Sequence, residues 1–424
     1  MRLLLVGAFS YPHHQGSQVY FQEQALALRA AGAEVELLTY GRRDESAPTD
    51  PERWRALDGF VHHTVPARAR PRSDTSGPVL GKPRADLALR RVLYDAIASR
   101  YAAGASYDAI LAHNIEACVI SLTTRVKPAG STPPVVYCVH TLMRYELSAY
   151  PKFLKSESLF PGQSESKNTK QRVKRVIDRL GERVDRFAAR HADGWIALTQ
   201  SAACVMLRDS TSPGSIIPPP LPHPRHRFFD AAPLAGRPSE PYFLYSGNLD
   251  GYQELHLLNG AARALSERGG TAARIVVASF DPEVAEPSQS WAPGIEPRLV
   301  RSEAEMQALI VGARATIVPR RAEGGFPIKL ANSLAQGTPA ITFHDREWAL
   351  ENRAEVWRAD PRRPIESLAD AMDTLARPGP EAHKMRVKSL AFYDSALRPE
   401  RVAQETLALV EAVRAARQVR GGAR

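Results

Sequence analysis

From Gly324 to Pro339 the chain reads GGFPIKLANSLAQGTP. Upstream lies a short apolar run, Ala315 to Val318, closed by Pro319, and downstream another, Ala340 to Phe343. Strand, glycine turn and helix start together form an arrangement that holds phosphate. Glycine lets a ligand approach the main chain closely, and the first helical turn offers unpaired N–H groups and a partial positive charge. Pro327 suits a first helical position, where its missing N–H is not needed. Lys329 then falls in the first turn, where a cation opposes the helix dipole. An anionic ligand resolves that conflict, and a diphosphate is the natural one. Gly324 and Gly325 would supply the close approach. Arg320 and Arg321 flank the same loop and could share the charge, or equally be solvated surface residues.

His140 directly follows the apolar run Val135 to Val139. In open α/β sheets the ligand crevice lies beyond the carboxyl ends of the strands, so a titratable residue at that place is a candidate. The plain alternative is a strand-end histidine bonded to a main-chain carbonyl. Arg144 and Glu146 follow on the same stretch; Glu146 is the nearest carboxylate that could orient a ligand hydroxyl. Gly16 and Ser17 stand between the first apolar run and a helical pattern from Gln18, where small residues could bring N–H groups to a phosphate. A simple turn reads about as well. Tyr11, His13, His14 and Gln15 share that loop and would face the cleft as ligand contacts, although neighbouring loop histidines are usually just exposed.

A metal site is not expected, because the chain carries no Asp-x-Asp motif and no His, Cys or carboxylate cluster at ligand spacing. It also lacks a Walker loop, a Gly-x-Ser-x-Gly and a Gly-x-Gly-x-x-Gly. An anionic ligand would then be held by cations and backbone dipoles.

These stretches resemble the GT-B glycosyltransferases, specifically the large family 4 of retaining enzymes, over nearly the whole chain. Met1 to Tyr40 is similar to that family's opening: strand, Tyr-Pro, small-residue loop, helix, Gly-Ala-Glu-Val, strand. VVYCVHTLMRYEL (Val135 to Leu147) resembles its strand ending in a donor-contacting His, and YFLYSGNLDGYQELHLL (Tyr242 to Leu258) resembles the opening of its second domain. The resemblance implies an α/β fold of two Rossmann-like, doubly wound domains facing a central cleft. It implies a retaining, metal-independent transfer of a sugar from a nucleotide diphosphate, UDP- or GDP-linked, to a hydroxyl of a glycan, lipid-linked saccharide or natural product, with no cofactor beyond the nucleotide sugar as co-substrate and with the departing diphosphate stabilised by cations and backbone dipoles. His140, Lys329 and Glu323 would be catalytic. Gly16, Ser17, Asn248, Arg320, Arg321, Gly324, Gly325, Phe326 and Asn332 would hold the donor, and Tyr11, His13, His14, Gln15, Arg144 and Glu146 would contact the acceptor. The chain departs from the family pattern at four places. The family's two loop glutamates fall at Gly324, with Glu323 one residue early, and at Asn332. Its diphosphate-gripping Arg and Lys fall at Asn248 and Gln253. Lys329 would compensate. A non-catalytic GT-B binding or partner subunit is the alternative those departures suggest. A sugar-nucleotide epimerase is a further one, and it needs more acid–base residues than the chain offers.

The elements that must position these residues are legible as alternation. At 424 residues the chain suits two or three domains. Short apolar runs alternate with helical patterns in both halves, which predicts parallel sheets covered by helices on both faces. A first domain is expected over 1–218, a proline-rich linker over 219–241, and a donor domain over 242–391. A final segment, 392–424, carries a helix expected to return to the first domain. The net charge of +10 suits nucleic acid, anionic membrane or acidic substrates; no nucleic-acid module is recognisable. No apolar run approaches the ~18 residues of a membrane span, and Leu3 to Phe9 is strand-length without a cleavage site. Three scattered cysteines read as reduced thiols, so a cytoplasmic place is expected. Within 170–190 an apolar stripe is interspersed with arginines. One reading is peripheral contact with the inner face of a membrane. The plain reading is a surface helix whose basic face is diluted by Asp178, Glu182 and Asp185.

Overall fold

The computed structural model describes residues 1–12, 16–41, 58–70, 83–124, 126, 132–145, 167–222, 241–269, 274–286, 290–321, 325, 327–343, 354–377 and 379–422. The first sheet has seven strands: β1 (Arg2–Gly7), β2 (Glu34–Thr39), β3 (Val61–Thr64), β4 (Ala109–His113), β5 (Val135–Val139), β6 (Gly194–Ala197) and β7 (Gly214–Ile216). Their order is β3-β2-β1-β4-β5-β6-β7, all neighbours parallel. Central strands of such a sheet are covered on both faces and must be apolar throughout. Accordingly Leu3, Leu4, Leu5 and Val6 are all fully buried. Around this sheet run α1 (Gly16–Ala30), α2 (Pro83–Ala102), α3 (Ile115–Thr123), α4 (Lys167–His191) and α5 (Gln200–Asp209). Two of these helices begin where the sequence supplies an N-cap: Asn114 Oδ1 accepts from Ala117 N (3.0 Å), and Thr199 Oγ1 accepts from Ala202 N (3.2 Å).

The second sheet contains β8 (Tyr242–Ser246), β9 (Arg274–Ser279), β10 (Ile295–Leu299), β11 (Thr316–Val318), β12 (Ala340–Thr342) and β13 (Val356–Arg358), in the order β10-β9-β8-β11-β12-β13. It is flanked by α6 (His256–Glu267), α7 (Glu303–Gly312), α8 (Ile328–Ala335), α9 (Pro364–Ala376) and α10 (Pro380–Phe392). Both sheets reverse strand order beside their first strand, at β1/β4 and at β8/β11. Those are the switch points where α/β sheets open a ligand crevice.

Several element bounds differ from the sequence reading. β10 starts at Ile295 rather than Arg298, so it includes Pro297. It lies at the sheet edge, where a missing N–H breaks no ladder. α8 starts at Ile328, with extended Pro327 preceding it as the cap residue. Most of the expected 219–241 linker lies outside the described residues.

The chain crosses between the two sheets twice, and the crossings touch. Leu221 N donates to Leu397 O (3.0 Å), and Tyr393 Oη donates to Leu221 O (3.4 Å). Beyond them α11 (Pro399–Gly422) packs against α1 and β6, burying Val402, Val410 and Val413. One apolar cluster runs from Leu3, Phe21 and Leu111 through Tyr393 and Leu397 to Val318, Leu330 and Leu334.

Candidate active site

The two candidate glycine loops face the opposite domain. A Cβ built on Gly325 would come within 2.7 Å of Thr141 Oγ1 and 3.1 Å of His140 O, and Gly325 has φ +139°. Only glycine combines that conformation with that approach. A Cβ on Gly16 would stand 3.4 Å from Ile328 Cγ1. The loop after β1, the end of β5 and the start of α8 therefore meet.

Lys329 is the cation at this meeting point. Its Nζ donates to Tyr245 Oη (3.1 Å) and to Gln253 Oε1 (2.8 Å), and it lies 4.2 Å from the centre of the Tyr245 ring. Tyr245 Oη in turn donates to Asn248 O. Gln253 Nε2 donates to Asn248 Oδ1 (2.8 Å), and Asn248 Nδ2 to Asp250 Oδ2 (2.6 Å). Thus the two amides standing where the family pattern has cations form one network with Lys329. Gly247 makes room for it: φ is +136°, and a Cβ there would sit 2.9 Å from Nζ. Burial lowers the Lys329 pKa to about 7, with the nearby Arg320 charge pushing the same way and Asp250 opposing. Near neutral pH the amine is therefore partly uncharged before any anion arrives.

Arg321 does something other than expected. Its side chain forks onto Glu254 and its own N donates to Glu254 Oε2 (2.7 Å). Burial raises the Glu254 carboxyl, but hydrogen bonds from Arg321 more than reverse this and hold it below its usual range. The guanidinium bolts the β11–α8 loop to the segment after β8. Arg320 remains beside Lys329, and Asn332 is half-buried on α8.

On the first domain His140 is not alone. His113, last residue of β4, places Nδ1 2.9 Å from His140 Nε2. Tyr20 and Phe21 of α1 pack edge-on against the pair. Burial drives the His140 pKa down to about 3 and that of His113 well below its ordinary value. Both rings are neutral at physiological pH, so His140 acts as a hydrogen-bonding group and not as an acid. His140 Nδ1 and His113 Nε2 are buried with no hydrogen-bond partner. Each such nitrogen costs roughly 1–3 kcal/mol, which a ligand hydroxyl at His140 would offset. His113 was legible by the reasoning that found His140, since it too ends a central strand.

Two expected acceptor contacts sit elsewhere. Tyr11 is buried in the core, its hydroxyl donating to Gln22 Oε1 (3.2 Å), rather than open to the cleft. Arg144 Nε donates to Asp185 Oδ2 (2.9 Å) of α4, so it braces the stretch after His140. Gly16 is exposed and Ser17 half-buried at the start of α1. His13, His14, Gln15, Glu146, Glu323, Gly324 and Phe326 lie outside the described residues. Among the described residues, no three His, Cys, Asp or Glu side chains gather as metal ligands.

Residues 15–216 match the family model described as Glycosyl transferase 4-like domain, and residues 240–377 match Glycosyl transferases group 1. The chain belongs to the GT-B glycosyltransferases. No curated protein matches this glycosyltransferase in sequence. Solved structures share its fold at low identity. Sucrose-phosphate synthase from Thermosynechococcus elongatus aligns at TM-score 0.66 and 14% identity, covering 98% of this chain and 99% of that one. Anabaena HepE, solved with UDP and glucose, aligns at 0.61 and 12%, covering 97% and 100%. WaaG, a glycosyltransferase involved in lipopolysaccharide biosynthesis, aligns at 0.57 and 13%, covering 95% and 98%.

Proposed function

We propose that this glycosyltransferase moves a sugar from a nucleotide diphosphate sugar to a hydroxyl acceptor, with retention and without a metal ion. The observation that carries this reading is Lys329. It is held at the first turn of α8, beside Gly247 and Arg320, four residues after Gly325, which meets His140 and Thr141 at the end of β5. In this reading the second domain takes the nucleotide, with Lys329, Arg320 and the N–H groups opening α8 on the diphosphate. Charge developing on the departing diphosphate is stabilised there, a form of catalysis that needs prearranged dipoles and cations rather than a proton donor. His140, neutral and lacking a partner at Nδ1, takes a hydroxyl of the sugar. The network of Gln253 and Asn248 substitutes for a direct cationic grip by orienting Lys329. The HepE structure contains UDP and glucose, which favours UDP as the first nucleotide to try. A glycan, lipid-linked saccharide or natural product is the acceptor class we assign, and the protein would work in the cytoplasm.

The test is thermal stabilisation of the purified protein by UDP, GDP, ADP and TDP and their sugar conjugates, without added metal. A ligand that binds the folded state at a hundredfold excess over Kd stabilises by roughly 2.7 kcal/mol, a plainly visible shift. One responsive nucleotide names the donor class. No response to any of them, in a folded sample, would overturn the reading.

A further inference from the structure

The described part of α4 separates its side chains by character. Val176, Leu180 and Phe187 recur along one stripe and are exposed by 65%, 55% and 37%. Arg179, Arg183 and Arg190 recur at the same intervals on the adjacent stripe and are exposed as well. The acidic residues that would dilute this face in the sequence lie elsewhere. Asp185 is buried and accepts from Met143 N (2.8 Å) and from Arg144, Asp178 carries a buried carboxylate oxygen, and Glu182, its side chain 47% exposed, stands at the flank, 4.0 Å from Arg144. Among the described residues of α4, neither stripe contains a carboxylate, and Glu182 is half-exposed at their edge. Arg186 reaches Asp209 at the end of α5 (3.7 Å), where Leu207, 64% exposed, and Arg208 continue the same character.

We infer that the outer face of α4 and the end of α5 form a docking surface for an anionic lipid bilayer. The arginines select an anionic surface, and the apolar stripe beside them selects one with an acyl interior. A helix with apolar and basic stripes side by side lies in the plane of the headgroups. Nucleic acid would satisfy the arginines but leave Val176, Leu180, Phe187 and Leu207 in water. The placement also suits the proposed chemistry. The inner side of α4 holds Met143 and Arg144, just after His140, so a lipid-linked acceptor would be presented close to the cleft. This last step rests on the proposed function; the bilayer contact itself does not.

The experiment is cosedimentation of the full chain with vesicles of phosphatidylcholine alone and with roughly a third phosphatidylglycerol. Expected is partition onto the anionic vesicles only, weakened by raised salt. Replacing three arginines, Arg179→Gln, Arg183→Gln and Arg190→Gln, should lower it roughly a hundredfold. Leu180→Ser with Phe187→Ser should also lower it. All five positions are exposed, and unchanged melting and unchanged nucleotide-induced stabilisation would show that fold and donor site are intact. Equal partition onto both vesicle types would overturn the inference, as would variants that bind like the wild type. So would tight binding of a duplex RNA probe that ignores the serine pair while the vesicles remain unbound.

Discussion

Lys329 carries both the chemistry and the main electrostatic consequence. Removing an electrostatic stabiliser of a departing charge costs about two to three orders of magnitude in turnover. Lys329→Ala is expected to fall in that range in a sugar-transfer assay while melting near the wild-type temperature. Its pKa near 7 predicts a pH dependence of binding. An arriving diphosphate favours the charged amine and raises its pKa, so binding takes up a proton above about pH 7. Nucleotide affinity should weaken as pH rises from 7, by up to about tenfold per unit. Titration calorimetry in buffers of different ionisation enthalpy would detect the proton, and Lys329→Met should abolish it. The sign for the ligand-free protein is opposite. Between about pH 7 and 10.5 the unfolded chain holds a proton that the folded chain has released, so this residue makes stability rise with pH there. The lysine was legible in the sequence through its clash with the helix dipole. Its partners were not, because Tyr245 and Gln253 lie 84 and 76 residues away and no local pattern links them. Arg321 shows the converse: a cation beside a phosphate loop reads as a ligand contact until its carboxylate partner, Glu254, is seen.

At the scale of elements, the strand–turn–helix reading survives because parallel strands buried on both faces must be apolar runs, and such runs show in sequence. Glycine positions show less. Gly325→Ala is expected to impair nucleotide binding more than folding. The new methyl would strike Thr141 Oγ1 and the backbone after β5, forcing apart the loops that define the cleft. Thermal melts with and without nucleotide would separate the two effects: the variant should keep most of its melting temperature and lose most of its ligand-induced shift. A variant with wild-type shift would show that the cleft tolerates a wider gap. In α4, Asp178, Glu182 and Asp185 interleave with arginines along the chain, and periodicity does not show that Asp185 is buried against Met143 and Arg144 while Glu182 stays half exposed.

For the whole molecule, the two sheets share an apolar core centred on the returning segment. Leu397 is fully buried within that cluster and also accepts the hydrogen bond from Leu221. Leu397→Ala should therefore destabilise by roughly 2–5 kcal/mol, the usual cost of truncating a core leucine. Because it sits between the lobes, chemical denaturation should also lose cooperativity, with probes in the two domains no longer reporting one transition. Two coincident transitions at the wild-type midpoint would contradict this.

The adjacency of the two crossings, at Leu221 and Leu397, has a mechanical meaning. Among the described residues the hydrogen bonds between the crossings form a spine, and a body joined in that way turns as the covers of a book do. At the fore-edge, the touching points are van der Waals approaches, Gly16 to Ile328 and Gly325 to Thr141. The covers can thus part without either sheet giving up a hydrogen bond of its ladder, and the travel is governed by a few residues of spine rather than by the stiffness of either cover.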